Sequence, residues 1–290
     1  MTQTDIPGAP WRVGVISQIA PLAVAYADIL SELGHKPVVH LATRRFDTRQ
    51  PVPEQAKPFL SRLMFDGPPG IDLVFPANRK AIAPLLRAYD LDIVVCTAFP
   101  WLLPVEALAA PRLGILNGHP SKLPHYRGPM PFGWQIRGGE SEIGFTYHLM
   151  DAEFDTGAMY GQGSVPFTDD DTDQSLWSKL TELCRELLPA ALARIAAGDP
   201  GDPQGEGSYH SLFEDDYVLV DPAQTAAEVH RQVRAWAFTP WSRAAERGPV
   251  LERASGRIRI VRSSLVEVEG AERLDCADAA PLWILESEPA

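Results

Sequence analysis

The sequence predicts an α/β protein: a Rossmann-like, doubly wound, mostly parallel sheet followed by a small β-rich C-terminal domain. Three observations lead to this prediction. Short, almost wholly apolar runs alternate with segments of helical periodicity over roughly the first 200 residues, which is typical of a parallel sheet covered on both faces. A stretch rich in glycine and proline follows at 198–208. Beyond it, short β-like runs replace the alternation.

The elements of the first domain are predicted from the spacing of its apolar residues. Strands are expected at 12–16, 37–41, 71–75, 92–97, 142–150 and in a run beginning at 114. The run 142–150 alternates between apolar and polar residues, so we expect one partly polar face. Helices are expected at 21–34, 81–89 and 172–197, where apolar residues recur at helical spacing. Residues 43–58 contain several prolines and arginines and are expected to form a mobile basic loop.

The C-terminal part is predicted as a separate domain. We expect a catalytic domain at 1–200, a linker at 201–208 and a β-rich domain at 209–290. The last contains a predicted helix at 223–237 and predicted strands at 249–252, 257–262 and 264–268. Eight arginines and two glutamates lie between positions 231 and 262: Arg231, Arg234, Arg243, Arg247, Arg253, Arg257, Arg259 and Arg262 against Glu246 and Glu252. This stretch is either a solvated face of a small barrel or an anion-binding surface.

Composition excludes several classes of protein. The chain has 290 residues, of which 45% are apolar and 22% charged, as in ordinary globular proteins. Its net charge of −12 disfavours non-specific binding to nucleic acid. There is no apolar run long enough to span a membrane and no signal-peptide pattern at the N-terminus, so a cytoplasmic location is expected. Three widely spaced cysteines, Cys96, Cys184 and Cys276, are expected to be reduced thiols.

The densest polar cluster follows the strand that ends near Leu116. Asn117 and His119 flank Gly118, so they point the same way if the strand continues. An asparagine amide can donate to a developing oxyanion, and a neutral histidine can move a proton near pH 7. Each is alternatively a structural residue at a polar strand end. No metal site is expected, because His119 and His125 have no carboxylate or cysteine partner nearby in the sequence.

A second polar cluster spans 149–158 and contains three carboxylates, Asp151, Glu153 and Asp155. A carboxylate beside His119 would orient its ring and stabilise its protonated form. The alternative is a simple turn built from Asp and Gly. The chain lacks GxGxxG, GxxxxGK[ST] and GxSxG motifs, so dinucleotide, P-loop and α/β-hydrolase chemistry are disfavoured.

Together these clusters resemble the formyltransferases that use 10-formyltetrahydrofolate. The resemblance lies in Asn117-x-His119-x-Ser121 with the following Leu-Pro-x-Tyr-Arg-Gly, and in Met150-Asp151 followed by Asp155-Thr-Gly. It extends over residues 12–200. The family includes methionyl-tRNA formyltransferase, glycinamide ribonucleotide formyltransferase, sugar N-formyltransferases and a formyltetrahydrofolate hydrolase domain, and it acts in one-carbon metabolism without a metal.

The resemblance implies roles for particular residues. Asn117, His119 and Asp155 would be catalytic: Asn117 and protonated His119 would stabilise the oxyanion, and Asp155 would hold His119 and assist proton transfer. The folate-binding residues implied are Trp101, Leu102, Leu103, Ser121, Met150, Asp151 and Glu153. The co-substrate expected is 10-formyltetrahydrofolate.

The sequence departs from the family pattern at several positions. Gly118 stands where the family usually has Val or Ile, which is expected to loosen the strand end, and Lys122 stands where Leu is common. Residues 239–243 replace the usual Pro-Trp-Pro-Gly-Ala run. The change at 239–243, the shortness of the second domain and the negative charge favour a small amine as the acceptor, either an amino sugar nucleotide or an amino acid-derived amine or hydroxylamine. Methionyl-tRNA, hydrolysis to formate and a non-enzymatic folate-binding module are the alternatives.

Overall fold

The computed structural model describes residues 10–44, 54, 57–221, 223–239 and 248–290. In it, a mixed sheet of seven strands is flanked by helices, and a separate antiparallel sheet of four strands lies in the C-terminal part of the chain. The predicted fold class is therefore confirmed. Most of the predicted mobile basic loop, 45–53 and 55–56, lies outside the described residues.

The large sheet consists of five parallel strands, followed at one edge by two more strands. Its strands are β1 Arg12–Ser17, β2 Lys36–Leu41, β3 Asp72–Val74, β4 Ile93–Thr97, β5 Ile115–His119, β6 Glu142–Leu149 and β7 Met159–Pro166. Their order is β3-β2-β1-β4-β5-β6-β7. β1 through β5 pair in parallel, and β6 is antiparallel to β5. The strand order reverses between β1 and β4, and ligands of such sheets bind beyond the carboxyl ends of strands near that point.

The strands are buried because their residues are apolar on both faces. Val13, Val15, Val94 and Val95 have no measurable exposure. The face of β6 that carries Thr146 and His148 is partly polar, as predicted, but it is not exposed: β6 is buried along its length except at its ends. Its polar residues are satisfied internally instead. Thr146, for example, donates to the Ser121 carbonyl at 2.7 Å and accepts from the Leu123 N–H at 3.1 Å.

Helices connect these strands. Their bounds are α1 Ala20–Glu32, α2 Lys57–Phe65, α3 Ile82–Ala88, α4 Val105–Leu108, α5 Pro131–Gly138, α6 Asp173–Ala196 and α7 Ala226–Ala237. The predicted helices agree with α1, α3, α6 and α7 to within a few residues. α2, α4 and α5 were not predicted. α2 and α5 lie in proline-rich sequence, but Pro58 and Pro131 occupy the first turn, where proline costs the helix no hydrogen bond.

The C-terminal sheet differs from its predicted strands. Its strands are β8 Val250–Arg253, β9 Gly256–Ser264, β10 Glu272–Asp275 and β11 Pro281–Pro289, in the order β10-β11-β9-β8. The strand predicted at 264–268 is wrong, because β9 ends at Ser264. β10 and β11 were missed because three of the four residues of β10 are charged and β11 ends in a polar run. α7 packs on this sheet and begins with a capping box between Thr225 and Glu228.

The described residues divide into two compact units. The first runs to Arg127 and adds Gly144–Val165 and Trp177–Ser208. The second comprises Gly128–Ile143, Pro166–Leu176 and Tyr209–Ala290. The division into domains at 1–200, 201–208 and 209–290 stays a prediction. Among the residues that the structure describes, no helix is long and apolar enough to cross a bilayer.

Candidate active site

Asn117 and His119 lie at the carboxyl end of β5. Both belong to the strand and are two residues apart, so their side chains leave the same face of the sheet. Both are buried. The residue between them packs tightly on the opposite face: a Cβ at Gly118 would lie 2.4 Å from Phe145 Cζ and 2.6 Å from Thr97 Oγ1. The expectation that Gly118 loosens the strand end is therefore wrong, because the Phe145 ring fills the space that a side chain would need.

The neighbouring strand contributes a residue that the sequence did not single out. Asn117 pairs with His148 across the antiparallel β5–β6 ladder, and Asn117 Nδ2 donates to His148 Nε2 at 3.0 Å. His148 is 1% exposed. The pattern Thr146-Tyr147-His148 in a buried strand was a signal for such a residue, since a buried polar side chain needs a partner. Its partner followed only from the register of the two strands.

Asp155 reaches both histidines from the loop between β6 and β7. Its Oδ1 lies 3.5 Å from His119 Nδ1 and 3.5 Å from His148 Nε2. Its backbone adopts the left-handed region, with φ of 57°, which is costly for a residue with a Cβ. The following turn passes close to the end of β6: a Cβ at Gly157 would lie 1.6 Å from the Leu149 carbonyl oxygen. Only glycine fits there, so the Asp-Thr-Gly turn is what brings Asp155 back over the strand ends.

His119 is held between two acceptors. Its Nε2 lies 3.0 Å from the Tyr126 carbonyl oxygen, so Nε2 carries the proton and donates to that oxygen. In the neutral ring, Nδ1 is then unprotonated and faces Asp155. Burial lowers the pKa of His119 below its ordinary value, although Asp155 and the Tyr126 carbonyl both act to raise it and His148 lowers it further. The resting side chain is therefore neutral near pH 7, and the protonated form expected to stabilise the oxyanion would arise only after His119 has taken up a proton.

This arrangement suits proton transfer during a reaction at an acyl carbon. Neutral His119 offers Nδ1 as a proton acceptor, and the carboxylate beside it stabilises the imidazolium that forms when a proton arrives. Asn117 keeps a second N–H, which can donate to an oxygen on which negative charge develops. The site therefore combines a base with an oxyanion donor at one strand end.

Of the apolar residues implied for folate binding, three belong to or contact a buried cluster and one is exposed. Trp101 and Met150 pack against the same apolar cluster, of which Leu103 is a buried member. Leu102 is 38% exposed. Trp101 and Leu103 follow β4, whereas Met150 lies beside the start of β5, where its N–H donates to the Ile115 carbonyl at 2.8 Å; all three share one apolar cluster.

The three polar residues implied for folate binding have local roles. Ser121 Oγ donates to the His125 carbonyl at 2.7 Å, which closes the loop after β5. Asp151 Oδ1 accepts from Thr156 Oγ1 at 2.7 Å and from the Glu153 N–H at 3.1 Å. The turn interpretation of the second polar cluster therefore accounts for Asp151, and Glu153 is exposed in that turn. In the described ranges, no group of three or more His, Cys, Asp or Glu residues could hold a metal ion.

Several arginines of the basic stretch have partners within the second unit. Arg253 pairs with Glu272 at 2.7 Å, and Arg259 pairs with Glu288. Arg234 donates to the carbonyls of Asp171 and Thr168 at 2.9 and 2.8 Å. The positive excess counted along 231–262 is thus reduced by acids of β10 and β11. Arg243 and Arg247 lie outside the described residues.

A Rossmann-like sheet with an amide, a histidine and a carboxylate gathered beyond β5 has the groups that a group-transfer enzyme needs at one strand end. Sequence comparison agrees: residues 75–192 match the formyl transferase family. A GDP-perosamine N-formyltransferase of Brucella melitensis biotype 1 is 33% identical over 188 residues, which are 64% of this chain and 70% of that protein. This chain belongs to the formyl transferase family.

Other relatives are similar over part of their length. A methionyl-tRNA formyltransferase of Trichlorobacter lovleyi is 32% identical over 188 residues, which are 64% of this chain but only 57% of that protein. Among solved structures, HypX from Aquifex aeolicus in complex with tetrahydrofolic acid matches 96% of this chain and 44% of its own, with a TM-score of 0.66 at 19% identity. A sugar N-formyltransferase from a Shewanella species matches 90% of this chain and all of its own, with a TM-score of 0.63 at 18% identity. The two structures share the fold.

Proposed function

We propose that this protein transfers a formyl group from 10-formyltetrahydrofolate to the amine of a small-molecule acceptor. The observation that carries the proposal is the buried cluster beyond β5, in which neutral His119 lies next to Asp155 while Asn117 keeps an N–H to donate. A base and an oxyanion donor at one strand end are what acyl transfer to an amine requires. Membership of the formyl transferase family supports the same chemistry.

The residues present fit the donor. A pterin is flat and largely apolar on its faces, and Trp101, Leu103 and Met150, which share one apolar cluster, offer it an apolar patch. We assign pterin binding to this patch together with Leu102 and the backbone of 150–155, which includes Asp151 and Glu153. We assign Ser121 the role of holding the loop over the donor through its bond to His125. When bound, 10-formyltetrahydrofolate supplies an electrophilic formyl carbon.

Three side chains have separate roles in the transfer. Asn117 donates its remaining N–H to the formyl oxygen, on which negative charge develops as the acceptor nitrogen attacks. His119 takes the proton that the acceptor nitrogen loses, at Nδ1, and Asp155 stabilises the resulting imidazolium. His119 then returns the proton to the departing folate nitrogen. One C–N bond forms and one breaks, a single proton is relayed, and no electrons are exchanged with a redox partner.

The proposed acceptor is an amino sugar nucleotide or an amino acid-derived amine. The pairing of Arg253 and Arg259 with glutamates supports this choice, because it removes charge that a broad tRNA-binding surface would need. The 33% identical GDP-perosamine N-formyltransferase supports it too. A place in one-carbon metabolism and a cytoplasmic location are parts of the same proposal.

The test is a competition assay. Purified protein receives 10-formyltetrahydrofolate with charged initiator tRNA, a panel of amino sugar nucleotides and a panel of ornithine-like amines, and mass spectrometry identifies which compound gains a formyl group. We expect a small amine to be formylated, with a shallow dependence on salt, and the Asp155→Asn variant to be nearly inactive. Formylation of tRNA alone, falling by about three decades between 50 and 200 mM salt, would establish the tRNA alternative.

Two further outcomes would contradict the proposal in different ways. Release of formate at the same rate with and without any amine would mark the protein as a hydrolase. Folate binding measured by calorimetry, without turnover in the presence of any acceptor of the panel, would favour a folate-binding module.

A further inference from the structure

Gln204 bonds to two loops of the candidate active site at once. Its Nε2 donates to the backbone carbonyls of Asp155 and Gly157, each at 2.8 Å. Its Oε1 accepts from Arg127 Nε at 3.0 Å and from Arg127 Nη2 at 2.7 Å. All four residues belong to the first unit. A single side chain thus joins the loop after β5 to the loop that carries Asp155.

Every hydrogen-bond donor and acceptor of the Gln204 amide has a partner in this arrangement. A glutamine has two N–H donors and one oxygen with two lone pairs, and each of them has a partner here. The orientation of the amide is therefore determined by chemistry: two carbonyls can face only the nitrogen, and a guanidinium can face only the oxygen. A carboxylate of the same length would keep Arg127 but would repel both carbonyls. A leucine would lose the bonds to Arg127 and to both carbonyls.

The loop needs such a contact because its backbone is strained at the functional residue. Asp155 has a left-handed backbone conformation, which persists in residues with a Cβ only when the surroundings hold it. The side chain of Asp155 extends from this strained backbone, and its carboxylate lies 3.5 Å from a ring nitrogen of His119 and 3.5 Å from one of His148. A rotation of the backbone at this residue would move the carboxylate away from both rings.

We propose that Gln204 is a positioning residue for formyl transfer, which holds the backbone of Asp155 in the conformation that directs its carboxylate at His119. Its bond to Arg127 couples this loop to the loop after β5, whose Tyr126 carbonyl holds the other nitrogen of His119. The effect on turnover depends on the function proposed above. The effect on His119 exists in the resting protein and can be measured without turnover.

The test compares two substitutions of Gln204 with the same substitutions of Gln232. Gln232 makes a matched control, because its Nε2 also donates to two backbone carbonyls, those of Tyr217 and Leu219, at 2.6 and 2.9 Å in the second unit. We expect Gln204→Glu and Gln204→Leu to lower kcat about 10- to 100-fold, with little change in KM for the donor. We expect Gln232→Glu and Gln232→Leu to lower the melting temperature but to leave kcat unchanged.

A second readout is the titration of His119 followed by NMR in the free protein. Asp155 and the Tyr126 carbonyl face His119 and raise its pKa, whereas His148 lowers it. Displacement of Asp155 in Gln204→Leu should therefore lower the pKa of His119, and the Gln232 variants should leave it unchanged. This outcome decides the proposal even if the wild-type protein shows no formyl transfer, in which case only the proposed function fails.

Folded Gln204 variants with a wild-type kcat and an unchanged His119 titration would overturn the proposal. Failure of both Gln204 variants to fold would also overturn it, since the residue would then be needed for the fold itself.

Discussion

Asn117 and His148 form a cross-strand pair, with Asn117 Nδ2 donating to His148 Nε2 at 3.0 Å. An amide that donates one N–H to a fixed ring nitrogen cannot rotate freely about its last bond. The second N–H of Asn117 is therefore aimed before any substrate arrives, and a preorganised donor costs no reorganisation during the reaction. Because His148 Nε2 accepts this bond, it has no proton at that nitrogen to donate to Asp155, and its role is to orient Asn117.

Removing the acceptor at position 148 should therefore reduce turnover. We expect His148→Leu to lower kcat by about 10-fold or more, because Asn117 loses its orienting partner. His148→Gln, which keeps an acceptor, should retain more activity than His148→Leu. Steady-state kinetics with 10-formyltetrahydrofolate measure the difference, and equal rates for the leucine variant and the wild type would contradict it.

The proton-transfer residues should be more sensitive still. We expect His119→Gln and Asp155→Asn each to lose about 100-fold or more in kcat while circular dichroism shows the native fold. His35→Gln is the matched control, because His35 is also buried and stacks on Trp11 with ring centroids 4.6 Å apart, outside the site. It should lose stability and keep its activity. Near wild-type turnover in a folded His119→Gln protein would disprove the mechanism.

Activity should depend on the ionisation of His119. Since burial lowers the pKa of His119, the neutral base persists as the pH falls to the ordinary histidine value of about 6.5. The acidic limb of kcat/KM should therefore lie below about pH 6.5. A pH–rate profile measures it, with the acceptor held above its own ammonium pKa or corrected for it. A limb above the ordinary value would mean that His119 rests protonated.

Stability should fall in mild acid for a related reason. Burial lowers the pKa of His35, His40 and His230 as well as that of His119. When the folded pKa is lower, the unfolded chain binds more protons as the pH falls below about 6.5, so the free energy of unfolding decreases there. Urea titrations at about pH 7.5 and pH 5.5 should show a lower midpoint at the acidic value. His40→Asn should reduce the difference, and an identical midpoint at both values would refute the prediction.

Gly118 should tolerate no side chain unless Phe145 yields. A Cβ would meet the Phe145 ring and Thr97 at less than 3 Å, so Gly118→Ala should cost about 1–3 kcal/mol of stability. The double variant Gly118→Ala with Phe145→Leu should recover part of the melting temperature lost by Gly118→Ala. Gly161→Ala is the control, since its nearest contact would be 3.9 Å away. A Gly118→Ala protein as stable as the wild type would show that Phe145 moves freely.

The positions of β1 to β6 in the large sheet could be predicted, largely because burial on both faces leaves short apolar runs in the sequence. β7 was missed, because its sequence mixes glycines and polar residues and it is only partly buried. The same logic fails for β10, whose residues are mostly charged. Such a strand is held by ladder bonds to β11 and by pairs such as Arg253 with Glu272. These partners are distant in sequence, and single-residue propensities contain no information about them.

Some residues of the candidate site could likewise be predicted from the sequence, and others could not. Asn117 and His119 stand out because their residue types and spacing suit proton transfer, whereas Asp155 was distinguished from Asp151 and Glu153 only by the family resemblance. His148 and Gln204 do not stand out, since one depends on strand register and the other lies in a segment rich in glycine and proline. The protonation state of His119 was also out of reach, because it follows from burial balanced against three neighbours.

The position of β11 in the C-terminal sheet has a consequence for synthesis on the ribosome. β11 lies between β10 and β9, although it is the last of the four strands to be translated. The β8–β9 hairpin therefore emerges with an unpaired edge on β9, and Leu282 and Ile284 of β11 join the cluster of Leu251 and Ile260 only after translation has reached them. Until then the nascent chain presents an open strand edge beside an incomplete apolar cluster, which are the features that promote association between partly folded chains.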